Sequence, residues 1–354
     1  MAMSVLFAEI STDLNLSLTQ VGIVWGIGSV TAIITSLFGG GISDKVGPRK
    51  MLIFGVLGTG LFGAMRGFSN GFTFLIFATL IYSFFTPLIT MNGLKASRLW
   101  FPPKLLGSSG GLLSMGMALG FFLSSRFSAT LVSPAVGGWR NTLILFGILG
   151  ALMAVPWLLS PKDPPHEGED EVEPAEASTS LLASMKIIAR NPNNWFIALG
   201  LLGLGGSIQA MLGYLPLYLR GAGWAAENAD TALASFHLIS MVMTLPLAFL
   251  SDRVKSKKRM VITMMSMMTL GIAALSFAEG SWVWAAVLFA GCVRDAFMSV
   301  ILAMAINARG VTPQLGATAI GFAFMFSNIG NLIMPWIGNN IAESYPSTSF
   351  LFWA

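Results

Sequence analysis

The chain has almost none of the residues that carry chemistry in a soluble enzyme. One cysteine, Cys292, and two histidines stand among 354 residues. A disulfide framework is excluded, because Cys292 has no second cysteine to join. A structural zinc site is excluded as well, because it needs four ligands of these types. Charge is equally scarce: Asp, Glu, Lys and Arg make up 10% of the sequence, and hydrophobic residues 55%. A soluble surface carries roughly 25–35% charged residues, and a disordered chain is polar throughout. Neither describes most of this sequence. The net charge of +4 is scattered in short basic runs between apolar blocks, which is a poor footprint for nucleic acid. No nucleophile–base pair, metal cluster or phosphate-binding loop is apparent, so neither an enzyme nor a cofactor protein is expected.

What the chain does have is apolar length and small residues, including 39 glycines and 21 methionines. A helix crosses the hydrocarbon core with about 20 apolar residues. Ten such blocks lie at 20–42, 51–69, 72–97, 108–131, 140–160, 194–219, 231–251, 260–279, 281–306 and 314–341. Two shorter apolar pieces, Met1 to Ile10 and Ser349 to Ala354, flank them. The economical reading is a twelve-span, all-α membrane protein in which the first and last spans are incomplete; ten spans with two interfacial tails is the alternative. In the twelve-span numbering, 20–42 is span 2. No basic leader precedes the first apolar piece, so no cleavable signal peptide is expected. Fifteen of the twenty Lys and Arg fall in one alternating set of loops, whereas Arg66, Arg140 and Arg220 fall in the other. By the positive-inside rule the first set, with the central loop, is cytoplasmic. The expected location is therefore the cell (inner) membrane, as a multi-pass and monomeric protein with the lipid bilayer as its surroundings.

The segment from Pro161 to about Asn193 differs from the rest, with seven acids between Asp163 and Glu176. It reads as a solvated linker followed by a short interfacial amphipathic helix from Leu181 to Ile188. The linker divides the chain into a first half at 1–160 and a second at 194–354. Asp44 and Asp252 sit in similar surroundings 208 residues apart, and Pro103, Gly111 and Gly120 match Pro313, Gly321 and Gly330 at 210. Two separate matches at nearly one offset indicate duplication, and paired repeats around a midplane site are a transporter architecture.

At these residues the chain resembles the major facilitator superfamily. The family's loop 2–3 signature is met by Gly40, Asp44, Lys45, Gly47, Arg49 and Lys50, with Pro48 at a position often basic. The second copy keeps Asp252, Arg253, Lys257 and Lys258, but has Ala248 and Lys255 for the two glycines. Gly137-Gly138-Trp139-Arg140 also resembles family members. The resemblance implies two six-helix bundles that rock about a central cavity lined by spans 1, 4, 7 and 10. It also implies a polar latch at Asp44 and its basic neighbours that is made in one state and broken in the other. The chemistry suits such a latch: a carboxylate at a helix end accepts hydrogen bonds from a neighbouring helix N-terminus, and basic side chains pair with it or with helix-end carbonyls.

Charges inside spans are costly and mark function. Arg294 lies about 18 Å along span 10 from Trp282 at 1.5 Å per residue, near mid-membrane. It either faces an anionic solute or pairs with Asp295; Asp295 is in turn a candidate proton carrier. Arg126, Tyr82, Gln209 and Tyr214 are further cavity candidates, and His237 reads as a packing residue. Drug–proton antiporters of the family carry an Arg within span 4, and nitrate porters carry arginines in spans 2 and 8. Neither pattern is present here. The expected function is secondary transport of a small solute, an organic anion being favoured, coupled to a proton or cation. A drug or metabolite efflux antiporter and a non-transporting sensor of the same fold are the alternatives.

Overall fold

A computed structural model describes the chain except residues 103–104, 161–180, 255, 307, 309–310 and 313–314. The side chains at 37, 40–41, 44–45, 98, 106–108, 181–183, 252, 306 and 317 are likewise outside the described residues. Every described element is helical. Helix α1 (Ala2–Asp13) leads through a turn to α2 (Leu18–Gly26) and α3 (Gly28–Val46), which form one bent span. Next come α4 (Pro48–Met65), a tight turn at Arg66–Phe68, α5 (Phe72–Trp100) and α6 (Leu106–Phe127). A wide turn at Ser128–Val132 continues α6 into α7 (Ser133–Val136), followed by α8 (Trp139–Leu152) and α9 (Ala154–Leu159). After the linker stand α10 (Leu181–Ala189), α11 (Pro192–Gly221), α12 (Ala226–Arg253) and α13 (Lys257–Ala274). The chain closes with α14 (Ser281–Gly291), α15 (Arg294–Ile306), α16 (Gly316–Ser344) and α17 (Thr348–Trp353).

Nine helical stretches among the described residues are long and apolar enough to cross a membrane. They coincide with nine of the ten blocks read from the sequence. The tenth, α13, has 18 residues and begins with Lys257, Lys258 and Arg259. Local chemistry sets several boundaries. Ser17 and Gln20 form a reciprocal cap on α2, and Ser256 accepts from the Arg259 amide at the start of α13. Gly47 turns the chain between α3 and α4 at φ 89°, a region open to glycine, and Pro48 opens α4. The element order repeats: α2 and α12 begin at Leu18 and Ala226, the offset of Asp44 and Asp252, while α6 and α16 begin at Leu106 and Gly316, the offset of the glycine landmarks. One block differs from its sequence reading. The stretch 281–306, read as one continuous helix, is broken at Cys292 and Val293, so that Arg294 opens a new helix inside the span.

Because successive spans run in opposite directions, the bundle has two faces, here called the Asp13 end and the Arg49 end. Two seams join the helices before the linker to those after it: α2 and α3 lie on α16, and α6 lies on α12. The first seam is close because it is built from glycine. A Cβ at Gly22 would lie 2.4 Å from the Pro335 carbonyl oxygen, and one at Gly26 2.7 Å from those of Asn331 and Leu332. Pro335 has no N–H to offer the Asn331 carbonyl, so that oxygen is free to face the partner helix. Small residues at helix crossings let backbones approach in lipid, where association rests on close packing. Helix α11 is the most deeply buried, held by α16 through a further glycine contact in which a Cβ at Gly330 would lie 2.0 Å from the Leu202 carbonyl oxygen. The helix α10 expected at the interface is present, and its Ile188 and Met185 pack against Ala198, Ala319 and Phe322.

Candidate functional site

The Asp13 end is tied shut across both seams. On the first seam the Thr19 amide donates to Glu343 Oε1 at 2.9 Å. Asn339 Nδ2 donates to the Leu18 carbonyl at 3.0 Å, and Asn340 Nδ2 to Thr19 Oγ1 at 3.2 Å. Deeper in, Trp25 sends its indole N–H to the Gln209 carbonyl at 2.6 Å. Its ring fills the notch left by Gly213, where a Cβ would lie 2.5 Å away. On the second seam Arg126 of α6 forms an ion pair with Glu227 of α12. Arg126, a cavity candidate from the sequence, spans the seam.

The Arg49 end is different. All seven residues 111–117 of α6 are exposed, so this part of the helix has an open side toward the bundle as well as an outer one. Gly110, Gly111 and Gly116 would each accept a Cβ with nothing within 4 Å. On α12, Val242, Leu245, Phe249 and Leu250 are exposed over the same depth. The α6–α12 seam therefore closes toward Asp13 and splays toward Arg49.

Between the tied end and the splayed end lies a cavity of about 580 Å³. Its wall includes Trp25 from α2, Thr59 and Gly63 from α4, Thr79, Tyr82 and Ser83 from α5, Phe121 and Ser124 from α6, and Gln209 from α11. Arg66, which the sequence places in a loop, lines it too. Arg66 closes the end of span 3 and folds its side chain back along the helix, so that its guanidinium carbon sits 3.8 Å from the Tyr82 ring centroid. A cation over an aromatic face in a desolvated site is held by about 2 kcal/mol. Long cationic side chains usually turn outward to water from a helix end; this one turns inward, and no sequence rule separates the two.

The other expected residues are distributed as follows. Tyr82 and Gln209 line the cavity. Tyr214 does not: it is buried, gives its hydroxyl to the Pro346 carbonyl at 3.2 Å and packs on Phe350 and Trp353. Five residues past Gln209 on the same helix is about 1.4 turns, which carries Tyr214 round to the α17 side. Arg294 pairs with Asp295 at 2.6 Å. Its guanidinium carbon also lies 6.0 Å from the ring of Phe121, a cavity residue of the other bundle, and the Asp295 amide donates to Ser240 Oγ at 3.3 Å. His237 is buried between Phe121 and Phe236 with both ring nitrogens unpartnered.

Of the signature residues, Gly40, Asp44, Lys45 and Asp252 have side-chain surroundings outside the described residues, and Gly47 makes the turn already noted. Arg49 caps the C-terminal end of α9, donating through Nε to the Trp157 carbonyl at 3.1 Å and through Nη2 to that of Leu158 at 2.9 Å. Lys257 reaches the Ser251 hydroxyl at 2.9 Å; Lys50, Arg253 and Lys258 are exposed. Cations at a helix C-terminus complement its dipole. The Gly-Gly-Trp-Arg turn ties the Asp13 end of its own bundle. Arg140 pairs with Asp13 and donates to the Ser69 carbonyl at 3.0 Å, and the Trp139 indole donates to Asp13 at 3.1 Å.

A family model described as Major Facilitator Superfamily matches residues 1–353. The chain belongs to that family. It is 27% identical over 230 residues to a probable L-galactonate transporter of Escherichia coli, covering 62% of this chain and 50% of that protein. It is 28% identical over 185 residues to a hexuronate transporter of Bacillus subtilis, covering 51% and 42%. A nitrite extrusion protein of Bacillus subtilis is 24% identical over 283 residues, covering 78% and 66%. The chain thus spans about half the length of the first two relatives. Among solved structures, a bacterial homologue of the human lysosomal transporter Spinster, inward-facing and unoccupied, superimposes with a TM-score of 0.78 at 18% identity over 97% of this chain and 78% of that one. The nucleoside transporter NupG gives 0.75 at 16% over 99% and 90%. These likenesses establish the fold.

The Arg126–Glu227 pair is one cross-bundle tie of several, and an exposed pair of this kind contributes about 1 kcal/mol at most. In a Glu227→Ala variant, a cysteine placed at Ser124 is expected to react roughly two- to fivefold faster with an impermeant maleimide added from the Asp13 side. Unchanged reactivity would show that the pair does not hold this end closed.

Proposed function

We propose that this protein is a secondary active transporter that carries a small organic anion by alternating access. Residues 1–160 and 194–354 act as two six-span bundles that rock about the cavity, whose wall comes from the first bundle and from Gln209 of the second. The reading is carried by Arg66: among the described side chains that line the cavity it is the one ionic group. A fixed cation in a water-poor site favours a solute of opposite charge, since the partner recovers what the guanidinium loses on leaving water. The names of the L-galactonate and hexuronate relatives support an anion with a sugar-like skeleton. The tied Asp13 end and splayed Arg49 end are what one of two access states requires. The Arg49 end, which carries most of the Lys and Arg, is assigned to the cytoplasm of the inner membrane, with the 161–193 linker on the same side. The structure then represents the inward-open state of a monomer.

The latch belongs to the outward-open state in this account: Asp44 and its copy Asp252 would meet basic or helix-end partners across the Arg49 end when the seams close there. Coupling to a proton or cation supplies the driving force, with Asp295 the candidate acid, linked to the cavity residue Phe121 through Arg294.

The test is uptake of a radiolabelled six-carbon aldonate into proteoliposomes holding the purified chain. Arg66→Ala is expected to weaken the aldonate by about tenfold to a hundredfold, the loss of charge-assisted hydrogen bonds worth about 1.5–3 kcal/mol. Asp44→Asn should depress flux while membrane insertion stays normal, and a protonophore should lower uptake driven by a pH gradient. Wild-type affinity in Arg66→Ala, or nitrite competing as well as unlabelled aldonate, would refute the sugar-acid reading.

A further inference from the structure

His237 is the histidine that falls within a span; the other, His166, belongs to the linker. It sits near the middle of α12 and is 1% exposed. A histidine packed into a core ordinarily gives a ring N–H to one neighbour or accepts at the other nitrogen. This one does neither: among the described residues both nitrogens are buried without a partner. Its ring lies 5.4 Å from that of Phe121, a residue of the cavity wall, and 5.7 Å from that of Phe236. An ionisable side chain left open inside a span marks function more often than packing, and a bare imidazole nitrogen is a site for a proton.

The break in span 10 brings an ion pair to the same place. Ser240 is one turn past His237 on α12, hence on the same face, and accepts from the Asp295 amide at 3.3 Å. Asp295 and Arg294 pair with each other at 2.6 Å in the first turn of α15. The Arg294 guanidinium reaches toward Phe121, 6.0 Å from its ring centroid, so Phe121 has the histidine and the arginine on its far side and the cavity on its near side. The charged groups that act on His237 are Arg294 first and the amino group of Met1 second. Gly291 of α14 packs on Phe236 and brings no charge. Arg126 of α6 and Arg220 of α11 are engaged by Glu227 and Asp230, about two to three turns away along α12.

The pair of Arg294 and Asp295 is neutral as a unit. A proton added to the lone pair of a His237 ring nitrogen leaves one positive charge in surroundings with little water, which is costly unless a negative charge arrives with it. An anion in the cavity, across Phe121, is such a charge. The linkage is reciprocal: the anion favours the proton, and the proton favours the anion.

We infer that His237 takes up the coupling proton together with the anionic solute, with Asp295 as its counter-ion, and that Arg294, drawn less tightly by Asp295, then adds its charge to the cavity wall across Phe121. This rests on the anion and coupling readings proposed above and names the group that receives the proton.

Calorimetric titration of galactonate and of glucuronate into the purified full chain in nanodiscs, repeated in buffers of different ionisation enthalpy, counts the protons taken up. Both sugar acids stay ionised near neutral pH, so any uptake belongs to the protein. Wild type should take up as much as about one proton per sugar acid, and affinity should rise as pH falls, by up to about tenfold per pH unit. His237→Gln should bind the sugar acid without proton uptake and with an affinity that no longer follows pH. Should that variant not fold, His166→Gln leaves His237 as the one histidine, and its ring nitrogen chemical shifts should move from the neutral to the imidazolium pattern when the sugar acid is added at constant pH. Binding to wild type without proton uptake, uptake that survives in His237→Gln, or ring shifts that the sugar acid leaves unchanged would each overturn this inference and leave the anion reading standing. Wild type that binds neither sugar acid at any pH overturns both.

Discussion

Inside a bilayer no solvent is at hand for a polar group, so each one within a span must be answered by another part of the chain or by something that enters from water. Most of the polar groups within these spans are answered internally. Arg294 has Asp295, and Arg220 holds the fully buried Asp230 at 2.7 Å. Ser43 and Asn92 bond to each other between α3 and α5. Arg66 differs from those arginines: an aromatic ring lies beneath it, no carboxylate pairs with it among the described residues, and its Nε is one of several buried polar atoms without a partner, with both ring nitrogens of His237 among the others. The function proposed above grows from this contrast: a cation in a cavity wall suits an anionic solute.

The packing around that cation suits the proposed alternation between two states. The bundles touch along two seams that are made differently at their two ends. Near Asp13, glycine-to-carbonyl contacts at Gly22 and Gly26 bring the backbones together, and side-chain bonds from Asn339, Asn340 and Trp25 fix the register. Near Arg49 the helices of the second seam stand apart, with 111–117 open on both sides. None of the ties at the closed end is large: each is one hydrogen bond or one partly exposed ion pair, worth about 1 kcal/mol. A handful of such ties is of the size that a bound solute and a few new contacts at the opposite end can balance.

Much of this was legible in the residues. Block lengths gave the spans, because a run of about 20 apolar residues has few other fates. The spans at 20–42 and 51–69 left Gly47 between them, where the structure shows a turn of positive φ, and the Asp44–Asp252 offset reappears in the starts of α2 and α12. What was not legible depends on rotation and long-range partners. Arg66 sits at a helix end, where sequence alone cannot tell an inward from an outward side chain. Tyr214 shares a helix with Gln209 but lies beyond the turn that faces the cavity. The break at Cys292 and Val293 carries no proline to announce it. Glu227 is 101 residues from Arg126, and nothing local pairs them.

The central claim is that two bundles rock about one shared, cationic cavity, so that one end opens as the other closes. Spin-label distances across both ends measure this directly. In a Cys292→Ser background, one pair of labels at Ser17 and Ser344 reports the Asp13 end, and a second at Lys50 and Lys258 the Arg49 end; all four positions are exposed. On adding galactonate, populations in the two distance distributions should shift in opposite senses, longer across Asp13 and shorter across Arg49. Distances that stay fixed, or that change in the same sense at both ends, would contradict it.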